Sequence, residues 1–318
     1  MKITARAHTN IALIKYWGKA EKDLRLPLMS SLSMTLDAFY SDTSIEKSTE
    51  NEFYLNQKKQ TDQAARRVFN YLEKLKKKYD IKDNLRVESV NHVPTAAGLA
   101  SSSSAFAALA TCFAKFYDLN LSKKDLSRMA RLGSGSASRS IFGGFSIWQK
   151  GNDDQTSFAY SLEENPEMDL QMLAVELNDQ QKKLSSTKGM QLAQTSPFFD
   201  IWLKRNESEL NEMIAAIKNE DFTKLGSLAE LNANEMHAIN LTAQPEFTYF
   251  EQKTIKAIKM VEELRQKGIE CYYTIDAGPN IKILTQLKNV KEIKKYFLSE
   301  FSNVNIINAS FGPGVTIL

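Results

Sequence analysis

Hydrophobic and polar positions change period along this chain. Over residues 33–39 they alternate every second position, and 43–46 continue in the same composition, so residues 1–50 read as strand-rich. Residues 61–79 switch to a helical period. Ala65, Val68, Phe69, Leu72, Leu75 and Tyr79 share one face; Lys74, Lys76, Lys77 and Lys78 occupy the other, which is expected to be solvated. A short strand is expected over 85–90, and the Ala-rich run 105–110 is a strong helix former. Ser122 followed three residues later by Asp125 marks a capped helix start. The run 132–139 reads as a loop or the start of a helix. Strands are expected over 145–149 and 172–177, and helices over 205–218, 221–239 and 254–267. Two further strands, 271–275 and 281–285, flank the turn Gly278-Pro279-Asn280, and 315–318 suits a closing strand. The mixture is α+β rather than strictly alternating. A polar stretch near 179–190 separates a strand-rich half from a helix-rich half, which divides the chain into 1–183 and 184–318.

Composition narrows the function classes. At 318 residues, two domains are expected, and 42% hydrophobic with 25% charged residues suits a packed globular protein. Lys plus Arg is 41 and Asp plus Glu is 38, a net charge of +3, which gives no reason to expect nucleic-acid or membrane binding. No run of about 18 apolar residues occurs, and the first six residues lack the apolar core of a signal peptide, so a cytoplasmic location is expected. There are three histidines, His8, His92 and His237, and two cysteines, Cys112 and Cys271. None has H-E-x-x-H or C-x-x-C spacing, which argues against a structural zinc site and a disulfide framework. The cysteines read as core fillers in a reducing compartment.

The first chemical signal is the segment 94–104. A small-residue loop runs directly into a helix. Glycine and alanine let the backbone approach a ligand, and a helix N-terminus offers free N–H groups and partial positive charge to a phosphate. Read from its residues alone, a serine-capped core helix explains the segment equally well. It is neither a G-x-x-x-x-G-K-[ST] loop nor a G-x-G-x-x-G loop.

Pro94, Gly98-Leu99 and Ser101-Ser102 together resemble the phosphate loop of the galactokinase, homoserine kinase, mevalonate kinase and phosphomevalonate kinase superfamily. Four blocks narrow the resemblance to the mevalonate diphosphate decarboxylase family. They are Asn10-Ile11-Ala12-Leu13-Ile14-Lys15-Tyr16-Trp17-Gly18-Lys19, the phosphate loop itself, Gly133-Ser134-Gly135-Ser136-Ala137-Ser138-Arg139-Ser140 with Phe142-Gly143-Gly144-Phe145, and Thr274-Ile275-Asp276-Ala277-Gly278-Pro279-Asn280. Weaker echoes are Ser185 to Met190 and Asn232 to Ala238. In order and spacing the blocks span nearly the whole chain.

The resemblance implies a two-domain small-molecule-kinase fold: a ribosomal-protein-S5-like N-terminal domain with a left-handed crossover, and a ferredoxin-like C-terminal domain. It implies ATP-driven loss of CO2 from mevalonate 5-diphosphate, with Mg2+ and no other cofactor, in a cleft between the domains, and a homodimer. By the same resemblance Asp276 orients or deprotonates the tertiary hydroxyl, although an Asp before Gly-Pro more commonly just starts a turn. Arg139 would face the carboxylate, with Ser134 and Ser136 lining its pocket. Tyr16 and Lys19 would contact substrate, Lys19 as a charge on the diphosphate, beside Asn10. Ser186 and Met190 match the block over the diphosphate. Pro94, Ala97, Gly98, Leu99, Ala100, Ser101, Ser102, Ser103 and Lys182 would serve ATP, with Ser101 and Ser102 near Mg2+ through its phosphates.

Three positions depart from the family pattern: Thr187 and Asn234 stand where Arg is frequent, and Ser138 where Cys is usual. Lys188 is a candidate substitute for the cation missing at Thr187. The nearest alternative is a kinase or decarboxylase of the same superfamily acting on mevalonate or its monophosphate. A second class, a non-catalytic RNA-binding protein, needs a basic face with interleaved aromatics, which the charge balance opposes.

Overall fold

The computed structural model describes residues 1–92, 101–178, 180 and 184–318. The strand-rich start folds as two long antiparallel strands, β1 (Lys2–Ile14) and β2 (Ser31–Ser48). β2 is long enough for two partners. Its second part pairs with β5 (Asn84–His92), and its first part with β6 (Phe145–Trp148), which pairs with β7 (Ala159–Glu163). Beyond β5 lie β3 (Glu52–Leu55), parallel to it, and β4 (Lys58–Lys59); β12 (Thr316–Ile317) closes against β1.

The crossover from β4 to β5 runs through α1 (Gln63–Tyr79), whose first turn is capped by the Asp62 carboxylate on the Ala64 and Ala65 N–H groups. Its lysine face is not wholly solvated: Lys76 is buried and donates to Asn51 and Glu73. α2 (Ser101–Phe116) lies across β1 and β2, burying Phe106, Ala107, Ala110 and Phe113. Its only charged residue is Lys115, so it is apolar nearly all round and buried accordingly. α3 (Lys123–Gly133) starts at the expected Ser122 cap, and the Gly-Ser run after it forms a 3-10 helix over Gly135–Ile141.

The second sheet holds β8 (Gln171–Glu176), β9 (Cys271–Ile275), β10 (Ile281–Thr285) and β11 (Asn305–Ala309), all antiparallel, in the order β11-β8-β10-β9. In chain order that is 4-1-3-2, the ferredoxin-like arrangement that the resemblance implies. Between β8 and β9 run α4 (Ser186–Ala193), α5 (Phe199–Lys218), α6 (Phe222–Leu241) and α7 (Gln252–Gln266); α8 (Leu287–Glu300) joins β10 to β11. The polar break near 179–190 does not coincide with the change of sheet, because β8, which precedes it, already belongs to the second one.

Strand alternation splits the second sheet into two faces. Leu173, Val175, Tyr273, Ile281 and Ile283 pack against α7 and α8. Met172, Ala174 and Leu284 face the other way, into a core shared with Leu13 and Met34 of the first sheet and Met213 and Leu225 of α5 and α6. That shared core fixes one sheet against the other. No described helix is long and apolar enough to cross a membrane.

α6 seats against β9 at Gly226, where an added Cβ would lie 2.0 Å from the Tyr272 ring. Alanine gains about 1 kcal/mol of helix propensity over glycine, but overpacking a filled site costs about 1–3 kcal/mol. The clash involves a buried ring and not a flexible tip, so it should win. Gly226→Ala is therefore expected to lower the urea midpoint, a net loss of up to about 2 kcal/mol; an unchanged or raised midpoint would show that the ring yields freely.

Candidate active site

Two strand ends meet at the seam between the sheets. Lys15 is the first residue beyond β1, and Asp276 the first beyond β9. The Lys15 ammonium, only 2% exposed, donates to Asp276 Oδ1 at 2.8 Å and to the Ala12 carbonyl at 2.9 Å. Alternation along β10 turns Lys282 away from the apolar side on which Ile281 and Ile283 lie, and its Nζ comes within 3.8 Å of Asp276 Oδ2. The sequence reading selected Asp276 but neither lysine.

Asp276 is 28% accessible at its side chain, yet protein surrounds the site at longer range. Burial pushes its pKa up; the charges of Lys15 and Lys282 overcome that and hold it down at about 2. Burial lowers the Lys15 pKa, and the Asp276 charge opposes the fall. The carboxylate is ionised at neutral pH. The turn behind it is pinned: Asn280 accepts from the Leu177 and Asn178 N–H groups, and Thr254 donates to the Pro279 carbonyl.

Arg139, on the 3-10 helix, is buried beside this pair. Its Nε donates to Ser33 Oγ at 2.9 Å, Nη1 donates to Ser31, and Nη2 reaches Asn10 Oδ1 at 3.2 Å. Asn10 is itself fixed by donating to the Ser136 carbonyl and Ser140 Oγ. Burial pushes Arg139 down to about 10 against the opposing charge of Asp276, so it stays protonated at neutral pH. Its hydrogen-bond partners among the described residues are neutral. Ser31 and Ser33 lie in the alternating strand and carry no motif signature of their own.

Hydroxyls connect this centre to the start of α2. Ser102 Oγ lies 3.2 Å from Ser134 Oγ, which lies 3.3 Å from Ser136 Oγ. Ser101 and Ser103 share the first turn of α2. Tyr16 packs on Trp148 at 4.7 Å, and its buried hydroxyl has no partner among the described residues. Lys19 Nζ donates to Thr187 Oγ1 at 3.3 Å, so the residue standing where arginine is frequent contacts a lysine instead. Ser186 begins α4, while Met190 lies in the apolar cluster with Trp17 and Phe199. Pro94, Ala97, Gly98, Leu99, Ala100 and Lys182 lie outside the described residues.

Cations gather at the mouth. Burial first, and then the charges of Arg25, Arg67 and Lys22, push Lys19 down to about 8. Arg67 is pushed to about 10, by burial first and then by Arg25, and lies over the Phe106 ring at 4.8 Å. Among the described residues no carboxylate forms an ion pair with Lys19, Arg25 or Arg67. Arg67 also lines a pocket of about 150 Å³, together with Phe53, Leu55, Val68, Val87, Phe106, Ser101 and Ser102. Arg25 and Arg67 escaped the sequence reading because a lone arginine carries no local signal.

Known proteins match this arrangement over the whole chain. A family model described as the diphosphomevalonate decarboxylase-like N-terminal domain matches residues 7–159, and one for the mevalonate 5-diphosphate decarboxylase C-terminal domain matches 172–313. Diphosphomevalonate decarboxylase of Ganoderma lucidum is 35% identical, covering 97% of this chain and 84% of its own. The human diphosphomevalonate decarboxylase is 35% identical over 91% of this chain and 78% of its own. The mevalonate diphosphate decarboxylase structure from Staphylococcus aureus superposes with a TM-score of 0.95 at 43% identity, covering 100% of this chain and 98% of that one. That from Enterococcus faecalis, described for mevalonate diphosphate mediated ATP binding, gives 0.94 at 45% identity, covering 100% and 99%. By matched domains, by full-length identity and by fold, the chain belongs to the diphosphomevalonate decarboxylase family.

Proposed function

We propose that this chain uses ATP to convert mevalonate 5-diphosphate into isopentenyl diphosphate, ADP, phosphate and CO2, in the mevalonate route to isoprenoids. The observation that carries the reading is an ionised Asp276 beside a buried Arg139 whose direct partners are neutral. Phosphorylating an alcohol needs a group like the first. Expelling a neighbouring carboxylate as CO2 needs that carboxylate held, and Arg139 supplies a planar fork for it. A plain kinase has less use for the guanidinium.

Asp276 accepts a hydrogen bond from the tertiary hydroxyl and aims its oxygen at the γ-phosphorus. A carboxylate of pKa about 2 is a weak base. It suits a loose phosphoryl transfer, in which the hydroxyl proton leaves late. The oxygen–phosphorus bond forms, the bond to ADP breaks, and the proton passes to the carboxylate. The carbon–oxygen bond then breaks and phosphate leaves with its electron pair. The bond to the carboxylate breaks as CO2 departs, and that pair becomes the new double bond.

Lys19 and Tyr16 contact the diphosphate end, with Ser186 and Thr187 across from them; Met190 supports the Tyr16–Trp17 segment from behind. The start of α2 and the hydroxyls of Ser101, Ser102 and Ser103 receive the ATP phosphates, together with Pro94, Ala97, Gly98, Leu99, Ala100 and Lys182. The apolar pocket beside Arg67 suits the nucleotide base. Among the described residues no group of three His, Cys, Asp or Glu could hold a metal ion; hydroxyls beside phosphates are hard oxygen donors that fit Mg2+, with Ser101 and Ser102 its protein neighbours. When bound, Mg2+ neutralises charge on the transferred phosphate. We place the protein in the cytoplasm as a homodimer: the first assignment rests on its two free, buried cysteines and the second on the family resemblance.

With Mg-ATP and, separately, mevalonate, its monophosphate and its diphosphate, only the diphosphate should release CO2, in one-to-one ratio with ADP. ADP without CO2 would make the chain a kinase. Asp276→Asn should keep substrate binding within about threefold while turnover falls by about 10²–10⁴-fold; substantial turnover by the purified variant would remove Asp276 from the mechanism.

Lys19 gives a pH signature. A lysine of pKa about 8 is charged at pH 7 and mostly neutral at pH 9. Phosphate groups, with a second pKa near 6, no longer titrate there. The KM for the diphosphate substrate should therefore rise up to about tenfold from pH 7 to pH 9. Lys19→Arg should flatten that rise; an equal rise in both proteins would show that another group is responsible.

A further inference from the structure

The run from Asn232 to His237 on α6 has no part in the reaction just described. Two of its side chains bond the backbone at both members of the central ion pair. Lys15 and Asp276 stand 261 residues apart, each one step past the end of its strand, where ladder hydrogen bonds cease. α6 spans both ends. Asn232 Oδ1 accepts from the Lys15 N–H at 2.7 Å. His237 Nε2 donates to the carbonyl of Ile275, immediately before Asp276, at 3.2 Å.

Both side chains are themselves fixed. Asn232 is fully buried, and its Nδ2 donates to Glu209 Oε2 at 2.7 Å, so only one amide orientation serves both neighbours. Arg205 donates to Glu209 Oε1 at 3.0 Å and to Glu235 at 2.7 Å, holding that carboxylate in turn. His237 is buried against Phe250, with ring centres 4.4 Å apart. Burial keeps its ring neutral, and facing a carbonyl requires the proton on Nε2. We propose that α6 is the positioning element of the Lys15–Asp276 pair, with Asn232 and His237 as positioning residues that set where ammonium and carboxylate meet. The proposal rests on the decarboxylase reading above.

A displacement of about 1 Å at a reacting group costs on the order of 10²-fold in rate. Both side chains are buried away from the surface that substrate can reach, so the effect belongs in kcat. His237→Leu and Asn232→Ala should each lower kcat about 10–100-fold, with both KM values within about twofold of wild type. His237→Gln, whose amide N–H can reach the Ile275 carbonyl, should recover most of the loss. Melting curves run alongside establish that each variant is folded. If His237→Leu does not fold, His237→Gln and Asn232→Ala decide between the outcomes.

A folded variant lacking the donor or the acceptor, yet keeping wild-type kcat, would overturn the proposal. So would a raised KM at unchanged kcat, or a folded His237→Gln no faster than His237→Leu. Wild-type protein that releases no CO2 would overturn the decarboxylase reading, and the proposal with it. Wild-type turnover beside unaffected variants overturns the positioning role alone.

Discussion

The Lys15–Asp276 ion pair is the constraint on which the rest of this structure depends. Each member is costly to bury alone: an ionised side chain removed from water loses several kcal/mol and shifts its pKa to become neutral instead. Paired at 2.8 Å, with Lys282 nearby, the carboxylate stays ionised despite its surroundings. The pair is built from both halves of the chain, so the proposed reacting group acquires its electrostatic character only when β1 and β9 come together. The shared core of Leu13, Met34, Met213, Leu225 and Leu284 holds the two sheets where that can happen.

Other cations are placed by a different rule. Arg139 is buried against serine hydroxyls and an amide, which satisfy its donors without neutralising it. Lys19, Arg25 and Arg67 crowd together without paired carboxylates among the described residues, and burial, with that crowding second, lowers the Lys19 pKa. A nearly neutral protein thus keeps a strongly positive mouth, suited to a diphosphate meeting a triphosphate. Scarce histidine and cysteine are no handicap for such chemistry. His237 is used as a neutral backbone donor, and the two cysteines are buried in the cores.

Local signals were legible in the sequence. The Ser122 cap, the strands Cys271–Ile275 and Ile281–Thr285 and the α1 stripe depend on neighbours in sequence, and they stand where the pattern puts them. α8, which buries chiefly Ile293 and Phe297, has no counterpart among the sequence expectations. The membership of β8 in the second sheet was hidden because strand pairing is a long-range property. The site divides likewise. Asp276, Arg139 and Lys19 lie in recognisable blocks. Lys282 is an ordinary residue in a strand, and Ser31, Ser33, Arg25 and Arg67 become part of the site only through folding.

The central claim is that Lys15, more than any other group, holds the Asp276 pKa down. Carbon-13 NMR of the Asp276 carboxyl, followed against pH in wild type and in folded Lys15→Met, tests it most directly. The account predicts a wild-type carboxylate that stays ionised down to the acid limit of the folded state, and a pKa about 1–3 units higher in Lys15→Met. Identical titrations in the two proteins would contradict it.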